Sequence, residues 1–183
     1  HILQDELGLD AEQAKWSYNV TGANKKERRL SLDGRIPLEN IEDRAKRERV
    51  RGWIDDACAD LEVDEGIVKT LKGVVFEVRQ GYKSKDSKRQ NADIANAATA
   101  YTRAYLPCAL IMSNQIDSDI RIRYRMEKWI ILTGTIGSDS ALVSTYAFVK
   151  HVVGYDLAAF FQRNAELLRT EVAKVLEALL RAE

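Results

Sequence analysis

The run Val74-Val75-Phe76-Glu77-Val78 constrains this chain more than any other feature: apolar, β-branched and aromatic residues with one carboxylate among them. Such a run predicts a buried strand. Lys72-Gly73 and Gln80-Gly81 bound it as turns. Residues 108–112 and 129–133 have the same apolar character and predict two further buried strands. Between the first two, residues 90–105 carry closely spaced alanines and Ile94, which predicts a close-packed helix broken by Pro107. Strand, helix, strand and strand, with helical segments before and after, is an α/β pattern.

The flanking segments fill in around that core. Residues 1–62 read as a charged, helical N-terminal layer, and residues 63–183 as the α/β core with a long final helix, the whole forming one domain. Asp10 reads as the cap of a short helix reaching Trp16. A longer helix is predicted from about Leu38, because Ile41, Ala45, Val50, Trp53, Ile54, Ala57 and Leu61 recur at roughly helical spacing. In residues 118–126, Ile120, Ile122, Tyr124 and Met126 alternate with Arg121, Arg123 and Arg125. That alternation predicts a strand with a basic exposed face, and a helix fits it less well. Residues 141–153 read as helical. Asp156 then caps the final helix, with Leu157, Phe160, Leu168, Val172, Val175 and Leu179 on its apolar stripe.

Composition removes several function classes. Lysine plus arginine and aspartate plus glutamate both number 28 among 183 residues, so the formal net charge is zero. A protein that merely coats nucleic acid is usually basic; an enzyme that confines its cations to one cleft need not be. With two histidines, one of them His1, a histidine-rich zinc site is nearly excluded. Cys58 and Cys108 stand in apolar surroundings far apart in sequence and read as buried free thiols. No apolar run is long enough to span a bilayer and no signal peptide opens the chain, which predicts a soluble protein with no membrane partner. His1 as first residue fits a trimmed N-terminus.

Chemistry concentrates in residues 64–93. A carboxylate inside an apolar strand is costly to bury unless it is paired, protonated or bound to a metal, and this marks Glu77. Asp64 lies ahead of the same strand. A polar, basic loop follows it, with Lys83, Lys85, Lys88 and Arg89 leading to Gln90, Asn91 and Asp93 at the start of the predicted helix. Two carboxylates meeting at a strand end beside a cation are what phosphodiester hydrolysis requires. The carboxylates hold Mg²⁺, and the cation stabilises charge in the transition state.

Asp64, a gap, and then Glu77-Val78-Arg79 resembles the signature of the PD-(D/E)XK nuclease superfamily, which includes most type II restriction endonucleases. The resemblance spans residues 64–112. It implies a restriction-endonuclease-like core, a small mixed sheet flanked by helices, and a site-specific endonuclease that hydrolyses duplex DNA. It also implies Mg²⁺ held by Asp64 and Glu77, a catalytic cation at Arg79, a homodimer in which each subunit cuts one strand, and a cytoplasmic setting in a prokaryotic cell. The chain departs from the pattern twice. Val63 stands where the motif has proline, and Arg79 stands where it has lysine. Arginine stabilises charge but does not serve as a base, so Lys83 or Lys85 competes for that role, and Glu62 and Glu65 compete with Asp64 as first acid.

Lys88, Arg89, Gln90 and Asn91 are the expected DNA-contacting residues beside the site, joined by Arg121, Arg123 and Arg125 if these form a phosphate-tracking stripe. Gln90, Asn91 and Asp93 face the site in one reading, because a helix N-terminus favours anions, and plainer readings stand beside each. Glu77 pairs with Arg79 or Arg89, Asp64 ends a turn, Gln90 to Asp93 cap a helix, and the arginines keep an edge strand soluble. Two other functions fit the same residues: a repair nuclease of the same fold, and a helix-rich subunit that binds a protein partner without catalysis.

Overall fold

The computed structural model describes residues 1–21, 27–81 and 87–181. The elements are, in chain order, α1 (Ile2–Leu7), β1 (Trp16–Thr21), β2 (Glu27–Leu32), β3 (Gly34–Pro37), α2 (Arg44–Asp60), α3 (Glu65–Thr70), β4 (Gly73–Arg79), α4 (Ser87–Thr102), β5 (Tyr105–Ile111), α5 (Ser118–Met126), β6 (Ile130–Leu132), α6 (Thr145–Phe148), α7 (Leu157–Arg163) and α8 (Ala165–Leu180). A 3₁₀ turn at Leu38–Asn40 precedes α2, and a π-type turn at Val149–Val153 extends α6.

The central sheet has the order β3-β4-β5-β6. β3 runs antiparallel to β4, while β4, β5 and β6 are mutually parallel along the sheet. Parallel neighbours need crossover connections, and α4 and α5 supply them. The sheet is therefore mixed and small, as an α/β chain with an antiparallel edge strand requires.

Side-chain alternation divides the core between the two faces. Ile36, Val74, Phe76, Leu106, Cys108, Ile130 and Leu132 point to one face, against Val50, Trp53, Ile54 and Ala57 of α2 and Phe148, Val152 and Val153 of the α6 segment. Val75, Tyr105, Ala109, Ile111 and Ile131 point to the other, against Ala97 and Ala100 of α4, Ile120 and Tyr124 of α5, and Trp129. α2 is fixed at its start by Asp43, whose side chain accepts a hydrogen bond from the Lys46 amide at 3.0 Å.

Five expectations change. The first third is not wholly helical, because β1 and β2 form an antiparallel hairpin and β3 joins the main sheet. Residues 11–14 form turns, and Trp16 opens β1 rather than closing a helix. Trp16, Tyr18 and Leu32 alternate inward and join the second core face, so tertiary burial sets a period of two there. Residues 118–126 are helix and not strand. Asp117 caps them through the Asp119 amide at 2.9 Å, Ile120 and Tyr124 are buried one turn apart, and Ile122 and Met126 stand exposed. Pro107 lies inside β5, aligned with Val75, rather than ahead of the strand. The single final helix is two, α7 and α8, joined at Asn164.

Candidate active site

Residues two apart on a strand share a face. On β4 this places Glu77 and Arg79 with Val75, on the side covered by α4 and α5. Both lie in the last three residues of β4, aligned with Ala109 and Ile111 of β5. They therefore occupy the carboxyl end of β4, beside that of its parallel neighbour β5, where open α/β sheets commonly bind ligands.

Glu77 is only 7 % exposed. Its carboxylate pairs with the Arg79 guanidinium, which supplies the opposite charge that burial of a carboxylate demands. The same Arg79 Nη2 reaches Asp93 Oδ1 at 3.4 Å. Asp93 lies on α4 and is 3 % exposed, and its second oxygen accepts a hydrogen bond from the Tyr124 hydroxyl at 2.5 Å. Tyr124 is held in turn against Trp129, with ring centroids 5.6 Å apart. Glu77, Arg79, Asp93 and Tyr124 thus form one buried polar chain across β4, α4 and α5. Two carboxylates converge on one guanidinium within it.

Sequence reasoning placed Glu77 and Arg79 here. In sequence, Asp93 groups with Gln90 and Asn91 as either a helix cap or a residue facing the site, and Tyr124 belongs to an alternating apolar set. A signal for both was present. Asp93, Ala97 and Ala100 follow helical spacing and all three are buried, as are Ile120 and Tyr124 one turn apart. A further carboxylate, that of Asp33, accepts a hydrogen bond from the Val78 amide at 2.7 Å. Asp33 precedes Gly34, which is aligned with Phe76, so it stands at the same end of the sheet.

The other expected residues are distributed as follows. Asp64 is exposed and caps α3, accepting from the Gly66 amide at 2.8 Å. Its contact is with its own helix, and Asp93 is the acid that shares Arg79 with Glu77. Lys83 and Lys85 lie outside the described residues. Lys88, Arg89, Gln90 and Asn91 belong to the opening turns of α4, the helix that follows β4 and carries Asp93. The three arginines of α5 do not form a single stripe. At about 100° per residue, Arg121 and Arg125 fall on one side of the helix and Arg123 nearly opposite. Arg125 is bound to α2, donating to Asp60 Oδ2 at 2.8 Å and to the Asp60 carbonyl at 3.0 Å.

Mg²⁺ binds through one or two carboxylates and fills its remaining positions with water and substrate phosphate. Glu77 and Asp93 are two hard oxygen donors of that kind, and their carboxylates are engaged by Arg79 and Tyr124. Among the described residues, no three histidine, cysteine, aspartate or glutamate side chains form a more complete shell. Behind the same strand ends, on the opposite face, lies an apolar cavity of about 510 Å³ lined by Phe76, Val78, Leu110, Met112 and Phe148. Its wall is greasy, and the acidic pair is across the sheet from it.

No protein-family model, curated protein or solved structure matches this chain. Among the described residues, no helix is long and apolar enough to cross a membrane.

Proposed function

We propose that this chain is a Mg²⁺-dependent endonuclease that hydrolyses duplex DNA, of the type II restriction kind, working as a homodimer in a prokaryotic cytoplasm. The observation that carries the reading is the convergence of Glu77 and Asp93 on Arg79 at the carboxyl ends of β4 and β5. In sequence, the basic stretch from Lys83 to Arg89 follows closely on the end of β4.

In this reading Glu77 and Asp93 supply the metal's protein oxygens, in place of the pairing of Glu77 with Asp64 that the sequence motif suggests. Mg²⁺, when bound, polarises the phosphate and lowers the pKa of its water. Arg79 already stands between the two acids. A phosphate entering there meets a guanidinium that is charged at every working pH and shaped to grip two oxygens at once. Glu77 and Asp93 orient the attacking water by accepting its protons in hydrogen bonds. Tyr124 and Trp129 keep Asp93 in place from behind.

The test is cleavage of a plasmid and phage DNA panel with and without Mg²⁺, comparing the native chain with Glu77→Gln and Asp93→Asn. Discrete bands that need Mg²⁺ and both carboxylates are expected, along with Mg²⁺ binding by calorimetry that either variant weakens. Intact DNA throughout, with a folded protein, overturns the reading. Mg²⁺-dependent cutting confined to damaged or branched DNA would assign a repair nuclease instead. One observation favours a non-catalytic interaction subunit. α8 carries no buried residue, and its apolar side chains are exposed. Absence of Mg²⁺ binding at Glu77 would select that alternative.

A further inference from the structure

α8 is a helix without a hydrophobic anchor. None of its residues is buried, and Leu167, Val172, Val175, Leu176, Leu179 and Leu180 are each more than half exposed. A helix of this length is marginal in water on its own, because most helical stability in proteins comes from packing an apolar face. Asn164 gives α8 no side-chain cap. Most of the apolar residues gather on one side. Leu168, Val172, Val175, Leu176 and Leu179 fall within one sector of about 100°, with Leu180 about 40° beyond it, while Leu167 lies outside it with Glu166, Thr170, Lys174 and Glu177.

Within that sector Leu168, Val172, Val175 and Leu179 are spaced four, three and four residues apart. This is the seam spacing of a coiled coil, so the surface is cut for another helix. We propose that its occupant is α8 of a second copy of this chain, lying antiparallel. A two-fold axis between Ala173 and Lys174 sets Leu168 opposite Leu179 of the second copy and Val172 opposite Val175 of the second copy. Large meets large and small meets small, and each contact occurs twice, as an isologous interface requires. The flanks agree with this register. Arg169 lies beside Leu176 of the second copy, where its aliphatic stem covers the leucine and its charge reaches water, and Glu171 lies beside Ala178. No like charges meet.

The antiparallel sense follows from two further facts. Antiparallel helices oppose their dipoles head to tail. α7 joins α8 directly at Asn164, so each globular body hangs from the start of α8. A parallel pair would force two bodies, each with a radius of gyration of roughly 16 Å, onto helix axes only about 10 Å apart. The antiparallel pair sets them at opposite ends of a seam about 24 Å long.

The area suits a reversible dimer. Half-exposed leucines and valines each offer on the order of 80 Å² of apolar surface, so the stripe covers on the order of 500 Å² per copy. The pair then buries about 1,000 Å², the lower bound of a specific interface. This inference stands apart from the nuclease reading, and it would supply the two-fold pairing that reading uses.

Sedimentation velocity from micromolar concentration upward tests it. The native chain is expected to pass from monomer to dimer with concentration. Val172→Glu, which puts a carboxylate into the seam, is expected to weaken dimerisation at least ~100-fold with the far-ultraviolet spectrum of the core preserved. A native chain that stays monomeric at every concentration overturns the proposal, as does a dimer that Val172→Glu leaves intact. Orientation is read by oxidising an equimolar mixture of Leu168→Cys and Leu179→Cys chains of different tag length, since Cys58 and Cys108 are buried. The antiparallel seam gives the mixed disulfide. Disulfides formed only between like chains overturn it. Glu77→Gln is expected to dimerise normally, so loss of cleavage and loss of pairing remain separate results.

Discussion

The Tyr124 hydroxyl donates to Asp93 Oδ2 at 2.5 Å and ties α5 to α4 behind the ends of β4 and β5. Both residues are buried. Tyr124→Phe removes the donor while keeping the ring against Trp129, and strips one hydrogen bond from a buried carboxylate. The expected cost is about 1–3 kcal/mol. It reads as a lower urea midpoint at unchanged slope. A variant as stable as the parent would show that Asp93 gains nothing from Tyr124.

Arg79 is a cation that the Glu77 and Asp93 carboxylates share. Arg79→Met keeps the aliphatic length and takes that shared charge away from two buried acids. Breaking a buried ion pair from one side costs about 3–5 kcal/mol. Mg²⁺ is expected to raise the melting temperature of Arg79→Met more than that of the parent, if the pair holds the metal. An Arg79→Met variant whose stability is indifferent to Mg²⁺ would remove the acidic pair from consideration as a metal site.

The central strands were legible because they are short apolar runs between turn residues, a pattern that burial on both faces imposes. Glu77 was legible for the same reason, as a charge where the pattern admits none. The failures have a common cause. In residues 118–126 every second residue is apolar, which satisfies the strand template. The helix uses only Ile120 and Tyr124 for burial and leaves Ile122 and Met126 in water. Period two and period 3.6 share some positions over so short a segment, and packing against β6 decides between them. Sequence alone leaves Asp93 open between a cap and a residue facing the site, because an aspartate near a helix start has a ready local role as a cap. Its partner Tyr124 is far along the chain, in a segment assigned to the wrong period. The β1–β2 hairpin was hidden by its charge, since Arg29 and Glu27 face outward while Trp16, Tyr18 and Leu32 carry the burial.

Gly73 opens β4 where the edge strand β3 comes closest. A Cβ built there would lie 2.0 Å from the Ile36 carbonyl oxygen and 3.0 Å from the Tyr105 ring. The obstacle is backbone, which has no rotamer to change. Gly73→Ala must push β3 away from β4 and strain the pairing of Ile36 with Val74. A loss of about 3 kcal/mol is expected, seen as a lower melting temperature. Gly52→Ala on α2 is the control, because nothing lies within 4 Å of its Cβ. There the better helix propensity of alanine should leave stability unchanged or raise it. Equal effects at the two glycines would deny the close approach of β3.

Burial pushes the Cys58 thiol up to about 11, with Asp55 adding to the rise, and holds the wholly enclosed Cys108 thiol far above its ordinary range. The thiolate is the reactive form, so neither side chain should react with iodoacetamide in the native protein at pH 8. Both should react at once in strong urea. The same burial fixes a sign for stability. Folding favours the protonated thiol, so its contribution is complete below the ordinary value of 9.0 and is lost as the pH climbs toward about 11. Urea midpoints measured from pH 8 to pH 11 are expected to fall in the native chain and to fall less in Cys58→Ala, compared each with its own value at pH 8. A Cys58 thiol labelled at pH 8 in the folded state would mean that α2 opens away from the core it packs on.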